Sequence, residues 1–518
     1  MPGSNGTRSD SVAEPVEFWQ CTNPATGERI GQIEVMGAEA VTRAVTKARH
    51  AQASWGELGV KERAARVLGF CDRLIEHAED LADLLVLETG KPRLEAISNE
   101  ILVLADVIHW HAKHAPEILR PREERLHLLK HRKSTIAYVP RGVIAVISPW
   151  NYPLFLPLSE ISLAVLAGNA VVLKPSEHAS LVALKAKELW DTSELPSDLL
   201  QVVTGGAETA RALLDAQVQK VSFTGSVEAG RKVAEQCGRN LVECVLELGG
   251  KAPLIVCADA DIERAARAIT WGGFSNMGQA CVSVERVLAH TTVYDTLVQR
   301  TGELVRGLRQ GAPEDLDIDV GAIRLERNIA HLEALVADAI AKGASVAAGG
   351  HRLERRGNFF APTLLVDCSP DMRVMQEEIF GPLVPMMRVD SDDQALSVAN
   401  SLPLGLSSYV FSRDTEHAAA LARRIEAGSV VVNDVASDIA SPEVPFGGIK
   451  RSGYGKVHGI EGLRSMCYAK HVSTNRTPLP VRSPFWFPYD SRDIPHALRG
   501  LRLLFTRHGP LGRLSKWL

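Results

Sequence analysis

The spacing of hydrophobic positions changes period along the chain. In "AEAVTRAVTKARHAQASWGEL", Val41, Val45, Ala48, Ala51 and Trp55 recur at helical intervals, which predicts a helix with one apolar face. Residues 61–118 keep that period, and Gly90 is a stop signal within them. "KSTIAYVPRGVIAVISP" is different: it is β-branched, broken by Pro140 and Gly142, and reads as two strands joined by a turn. From about residue 143, short apolar runs alternate with helical patterns: "VIAVIS", "LSEISLAVLAG", "AVVLKPS", "HASLVALKAKELWD", "LQVVTG", "AETARALLDA", "KVSFTG". Strands that are apolar throughout need cover on both faces, so the alternation predicts a parallel sheet with helices on either side. That organisation is Rossmann-like and takes its ligand at the carboxyl ends of the strands. A second α/β series starts at "APLIVCADADIERAARAITWGGF". It runs through helices near 296–309 and 327–344 and strands near 363–367 and 383–389, to "SVVVND" (429–434), read as a buried strand. No short-period repeat interrupts this order.

Composition changes the picture little. A chain of 518 residues, 45% hydrophobic and 23% charged, has the makeup of a multidomain globular protein. A net charge of −4 provides no global basic field to recruit nucleic acid. None of the eight cysteines forms a CxxC pair, and no His–Cys cluster has zinc spacing, so neither a metal site nor a disulfide framework is expected. That usage fits a reducing, cytoplasmic compartment. Residues 1–16 read as a loose polar tail without a signal core, and no window approaches the ~20 apolar residues of a membrane span.

Several short stretches carry chemistry, each with a plainer alternative. No clean GxGxxG is present: "GGAETA" (205–210) lacks its later glycines, and "GSVEAGRK" (225–232) is not followed by GK[ST]. "FTGS" ends a strand before a helix beginning near Glu228. Its amides and the Ser226 hydroxyl suit a phosphate, and an ordinary helix cap reads equally from the same residues. In "SPWNYP" (148–153), Asn151 is either an amide donor at a strand end or a turn residue. In "LELGGK" (246–251), Glu247 sits within an apolar strand, as a tuned base or an edge residue facing solvent. "FSNMGQACVS" (274–283) puts Cys281 among small and amide residues, where backbone and ligand can approach closely. "EEIFGP" (377–382) and "PFGGIKRSGYG" (445–455) are Gly/Pro loops carrying aromatics.

Taken in order, "SPWNYP", "KPSE", "FTGS", "ELGGK", "GQAC", "EEIFGP" and "PFGGIKRSGYG" resemble the aldehyde dehydrogenase superfamily over about residues 20–475. The resemblance implies a Cys281 thiolate that attacks an aldehyde carbon, and an oxyanion held by Asn151 and the Cys281 N–H. Hydride then passes to a nicotinamide, and the remaining thioester is hydrolysed with Glu247 as general base. It implies adenosine-ribose contacts from Lys174, Ser176 and Glu177. Glu177 would favour NAD, and Lys174 and Ser176 leave NADP use open. It further implies pyrophosphate contacts from Gly225 and Ser226 with Trp150 beside them, a nicotinamide-ribose ligand in Glu378, and Phe380 near the nicotinamide.

Tyr152, Leu156 and Ser159 fall at i, i+4 and i+7, as on one helix face. With Ser275 and Phe446 they match pocket-lining positions of the family. None is charged, which suggests an apolar or neutral aldehyde. Val457 stands where many relatives carry a proton-relaying Glu, so the proton must leave by another path. The domains expected are a cofactor domain (17–124 and 142–249), a catalytic domain (250–460) and oligomerisation strands (125–141 and 461–476) that make at least a dimer, as a homodimer or homotetramer. Residues 477–518 form a basic extension. From Arg476 onward there are eight Lys/Arg and two Asp; Leu498, Leu501, Leu504 and Phe505 could line one helix face, with Arg499, Arg502 and Arg513 elsewhere. Such a stretch can lie on an anionic membrane or wrap a partner subunit. Two rival functions are an acylating, coenzyme A-dependent enzyme, against which Glu247 argues, and a non-enzymatic protein on the same fold.

Overall fold

The computed structural model describes residues 17–312, 316–476 and 486–506. Of the described residues, 17–121, 137–312 and 316–470 form one compact unit. Its first sheet contains β1 (Val143–Ile147), β2 (Ala170–Lys174), β3 (Leu200–Val202), β4 (Lys220–Gly225) and β5 (Glu243–Leu248), all parallel. The spatial order is β5-β4-β1-β2-β3, and the Gly453–Tyr454 segment adds to β5 antiparallel. Chain order reverses between β1 and β4, the switch point at which α/β sheets open a crevice. β1 and β2 are fully buried, as their unbroken apolar runs require.

The second sheet contains β6 (Ala252–Val256), β7 (Val284–His290), β8 (Ser345–Ala348), β9 (Thr363–Val366), β10 (Leu383–Val389), β11 (Ser407–Phe411) and β12 (Ser429–Val432). Its order is β8-β9-β10-β7-β6-β11-β12, and only β8 is antiparallel to its neighbour. Each sheet has its own hydrophobic core: one gathers residues 41–248 with Leu463, Met466 and Cys467, the other residues 252–435. A small third cluster of Val245, Ala280, Val282, Leu406, Phe446 and Val457 packs around Cys281. The amphipathic helix Ala38–Glu57 buries Val41, Val45, Ala48 and Trp55, and the Trp55 indole donates to Val165 O at 2.9 Å.

Three details differ from the sequence reading. The two strands of "KSTIAYVPRGVIAVI" are not a hairpin: the Arg132–Pro140 strand joins a three-stranded sheet and β1 the parallel one, because β1 is apolar on both faces and the other is not. β12 is half-buried, being the edge strand of its sheet. In the 461–476 segment, residues up to Ser465 belong to the helix Gly459–Ser465, which buries Leu463, and the strand spans Cys467–Asn475.

The described residues 122–136, 471–476 and 486–506 form a second unit. Within it Arg122–Glu124 pairs antiparallel with 134–136, and the Ser134 hydroxyl lies 2.7 Å from His471 Nε2. The helix Asp493–Phe505 has no buried residue and leaves Leu498, Leu501, Leu504 and Phe505 exposed. The tail at 1–16, the first part of the extension (477–485) and Arg513 lie outside the described residues.

Candidate active site

Cys281 follows a strained turn. After helix α1 (Ile262–Phe274), Asn276, Met277 and Gly278 all take positive φ, at 49°, 55° and 69°. Two non-glycine residues in the left-handed region cost free energy that surrounding contacts must offset. A Cβ on Gly278 would lie 2.1 Å from the Gly381 carbonyl oxygen, so glycine is the residue this close approach admits. The turn thereby draws the "EEIFGP" loop against the cysteine.

Cys281 is partly exposed and lies at the junction of two cavities. One, of about 410 Å³, is lined by Ser159, Glu160, Thr224, Glu247, Phe446, Val457 and others. The second, of about 560 Å³, is walled by Val103, Tyr152, Phe155, Leu156, Trp271, Val282 and Ile439, with Asn99 as a polar group and no Lys or Arg among its lining residues. Burial, then the charges of Glu247, Glu378 and Asp438, push the Cys281 thiol well up, so the thiol rests protonated and needs an acceptor before it can act as a nucleophile.

Glu247 lies on β5, buried, with neither carboxylate oxygen hydrogen-bonded among the described residues. Burial and then the neighbouring Glu160 push its carboxyl well above the ordinary range, against a smaller effect of Lys456. A Cβ on Gly447 of "PFGG" would meet Glu247 Oε1 at 2.5 Å, so that loop is glycine to leave the carboxylate room.

Asn151 is buried and its side-chain N–H donates to Gln279 O at 2.9 Å, two residues before the cysteine. Its backbone carbonyl accepts from Lys91 Nζ (2.9 Å) and Asn276 Nδ2 (3.0 Å). Lys91 also pairs with Glu100 at 2.5 Å and sits 4.4 Å over the Tyr152 ring; Glu100 in turn accepts from the N–H groups of Leu154 and Phe155. The sequence reading missed Lys91 and Glu100. Neither stands out locally, Lys91 lying in the loop after Gly90, and their meeting point is set by the tertiary fold.

The cofactor-type residues gather at the carboxyl ends of the first sheet. Trp150 follows β1 and makes an edge contact with Phe380, with ring centroids 5.5 Å apart. Lys174 ends β2 and pairs with Glu177 at 3.2 Å, and the Ser176 hydroxyl accepts from His178 N. Gly225 ends β4 and Ser226 follows it, its hydroxyl capping the helix Val227–Asn240 by accepting from Ala229 N at 3.3 Å. Glu378 accepts from Gly250 N at 3.2 Å, and burial pushes its carboxyl up to about 8. A buried Glu285–Lys251 pair fixes this loop, with Glu285 accepting from the N–H groups of Ile379 and Phe380. The buried Ser148 hydroxyl, one residue past β1 at the switch point, has no hydrogen-bond partner among the described residues. That orphaned hydroxyl, the cation–carboxylate pair and the exposed helix start fit a dinucleotide.

The pocket residues divide. Tyr152 and Leu156 line the apolar cavity; Ser159 and Phe446, together with Leu156, line the Glu247 cavity. Tyr152 is not on the helix face expected, because that helix spans Phe155–Leu166 and Tyr152 precedes it. Ser275 is in neither cavity. It opens on a separate cleft, held there by its hydroxyl bond to Glu95 (2.9 Å), which also accepts from Asn276 N. Among the described residues one group of metal-type ligands converges, Cys257, Asp392 and His417, away from both Cys281 cavities; His417 Nε2 already pairs with Asp392 at 2.8 Å.

Residues 12–472 match the model of the aldehyde dehydrogenase family. The chain belongs to that family. It is similar to 4,4'-diapolycopene aldehyde oxidase of a Methylomonas species (38% identical, covering 90% of this chain and 88% of that protein). It is also similar to succinate-semialdehyde dehydrogenase (NADP+) of Escherichia coli (37% identical, 87% and 93%). Among solved structures, an NADP-dependent enzyme of Escherichia coli superimposes with a TM-score of 0.86 at 35% identity, covering 89% of this chain and 95% of that one. A Bacillus cereus aldehyde dehydrogenase in complex with NAD+ gives 0.86 at 30%, covering 89% and 94%. This aldehyde dehydrogenase is therefore an aldehyde-oxidising oxidoreductase that uses a nicotinamide dinucleotide.

Proposed function

We propose that the enzyme oxidises an apolar aldehyde to its carboxylic acid through a Cys281 thioester that Glu247 helps water to cleave. The observation that carries this reading is the position of Cys281 between two cavities, one apolar, the other holding a carboxylate with no hydrogen-bond partner among the described residues. The substrate chain lies in the apolar cavity with its carbonyl carbon at the sulfur. Glu247 lines the same space as the sulfur and serves the hydrolytic water rather than the thiol. The thiol gives its proton to water in the cavity as the sulfur adds to the carbonyl, and the Asn151 amide and the Cys281 N–H stabilise the oxyanion; one such donor is worth about 2.7–4 kcal/mol of barrier. A bound nicotinamide supplies the hydride acceptor for the oxidation. Glu247 then takes a proton from water as its oxygen bonds to the acyl carbon, and the C–S bond breaks to release the acid.

Trp150, Lys174, Ser176, Glu177, Gly225, Ser226, Glu378 and Phe380 hold the dinucleotide. Lys174 spends its charge on Glu177, which supports NAD over a 2′-phosphorylated cofactor. The lack of a cation in the apolar cavity supports an apolar substrate over a dicarboxylic semialdehyde, whose second carboxylate would be buried unpaired there. The Cys467–Asn475 strand, mostly exposed, supports pairing with a second copy in a dimer or tetramer. The exposed apolar residues of the Asp493–Phe505 helix, with Arg499 and Arg502 between them, support peripheral contact of a cytoplasmic enzyme with an anionic membrane. No described helix is long and apolar enough to cross one.

The test is NADH formation from a graded series of aliphatic, aromatic and carboxylated aldehydes without coenzyme A. Rising kcat/KM with chain length and poor use of succinic semialdehyde are expected. Cys281→Ala should abolish turnover while the dinucleotide still binds. Turnover that requires coenzyme A, or that survives Cys281→Ala, removes the reading.

A further inference from the structure

The buried carboxylates of this enzyme fall into two kinds. Glu88, Glu100 and Glu285 have several partners each: Glu88 accepts from the N–H groups of Leu181 and Val182, Glu100 from Lys91 and two amides, and Glu285 accepts from two amides and forms an ion pair with Lys251 at 3.1 Å. Structural carboxylates need such partners to offset the cost of burial. Glu160 does not have them. It lies in a helix whose other buried residues are apolar, proline or serine, it is 5% exposed, and among the described residues it accepts only from the Ser222 hydroxyl, at 3.0 Å. It lines the cavity that holds Cys281 and Glu247. A hydroxyl, unlike a backbone N–H, can reverse its direction and pass a proton on.

Ser222 belongs to a polar stripe. Lys220, Ser222 and Thr224 alternate along β4, so they share one face of a strand whose other face carries Val221 and Phe223. Thr224 lines the catalytic cavity. At the other end Lys220, fully buried, donates to the Ser465 carbonyl and hydroxyl (both 2.9 Å) and lies 3.5 Å from Glu243. Ser465 and Glu243 line a separate open cleft, and the Glu243 side chain is 52% exposed. The stripe therefore spans from the reaction cavity to the Glu243 cleft, with its side chains two residues apart along the strand. Val457, buried in the cavity wall, offers no proton-bearing group. His458 lines the cavity too, but burial and then His111 push its imidazole down to about 3, leaving it neutral.

We propose that Glu160 receives the proton that Glu247 takes from the hydrolytic water and passes it through Ser222 and Lys220 toward Glu243. This rests on the reading of Cys281 and Glu247 given above. In the step itself, water's O–H bond breaks as its oxygen bonds to the acyl carbon, and Glu247 becomes neutral. The proton moves to the Glu160 carboxylate, directly or across one cavity water. Ser222 accepts it and releases its own across a bridging water to Lys220, which gives up a proton to Glu243 and solvent as it takes this one. No electrons move in this leg, and every group returns to its starting state. Electrostatics agree: burial lifts Glu160 to about 7, against the Ser222 bond and the charge of Lys220, and burial lowers the basicity of Lys220. The charged groups that set this balance are Glu247, Lys456, Lys220, Glu243 and Arg141, which pairs with Glu243 at 2.7 Å. Glu160 acts through Glu247 and is a relay and positioning residue.

The experiment compares first-turnover NADH formation, steady-state kcat across pH and the solvent deuterium effect in wild type, Glu160→Gln, Glu160→Asp and Ser222→Ala. Glu160→Gln should leave the first turnover intact and lower the steady rate about tenfold, with a larger deuterium effect. Its acid limb should move down by about one pH unit, because a like charge beside Glu247 is gone. Glu160→Asp should recover part of the rate. Ser222→Ala removes a donor from Glu160, so its acid limb should move the opposite way, upward. That opposition keeps the idea testable even if Glu160→Gln fails to fold. Unchanged acid limbs and steady rates in the variants would overturn the relay while leaving Cys281 and Glu247 in place. A wild type with no Cys281-dependent first turnover would overturn both.

Discussion

Replacing Lys91 with Met tests how the oxyanion donor is held. The Lys91 ammonium is fully buried and has three partners: the Glu100 carboxylate at 2.5 Å, the Asn151 carbonyl at 2.9 Å and the Tyr152 ring at 4.4 Å. Met keeps most of the volume, so packing changes little. The Glu100 charge, however, stays buried with only the amides of Leu154 and Phe155 to hold it. Removing one partner of a buried pair costs about 3–5 kcal/mol, most of it the uncompensated charge. Changing Glu100 to Gln as well removes that charge, and the double variant should recover about half of the loss or more. The assay is urea unfolding at fixed protein concentration, with kcat measured in parallel. Lys91→Met should also lower kcat, since the backbone of Asn151 loses one of its two donors. A single variant that loses less than about 1 kcal/mol, or a double variant no more stable than the single, would refute this account of a charge-balanced support.

Glu247→Gln should leave the first turnover of NADH formation intact and slow the steady state by about 10²–10⁴-fold, read by stopped-flow absorbance. Because burial and Glu160 raise the Glu247 carboxyl, the wild-type rate should fall as pH drops through a midpoint above the ordinary carboxylate range, a point fixed by the steady-state pH profile. Gly278→Ala puts a methyl 2.1 Å from the Gly381 carbonyl at φ 69°, so it should cost about 2–5 kcal/mol and weaken dinucleotide binding by displacing the Phe380 loop, measured by unfolding and by cofactor titration. Truncation after Arg476 should reduce sedimentation with anionic liposomes; unchanged sedimentation with a smaller oligomer would mean that the tail packs on a subunit.

The reaction class and the layout of the parallel sheet were legible in the chain. Continuous apolar runs such as Val143–Ile147 can only be strands covered on both faces, and a cysteine among glycine and amide residues marks a close approach of backbone and ligand. Local pattern reports each residue's own conformational and burial preference, and these were enough to find Cys281, Glu247 and the strand ends. It does not report which distant side chains share a space. Ser275 read as a pocket residue, yet Glu95 from 180 residues earlier holds it in another cleft. Lys91 and Glu100 had no local signature, and neither did Glu160, one carboxylate in a helix otherwise made of apolar residues, proline and serine. Their roles depend on electrostatics at a few ångströms, in a low dielectric, between segments that only chain folding brings together, and so the tertiary structure alone decided them.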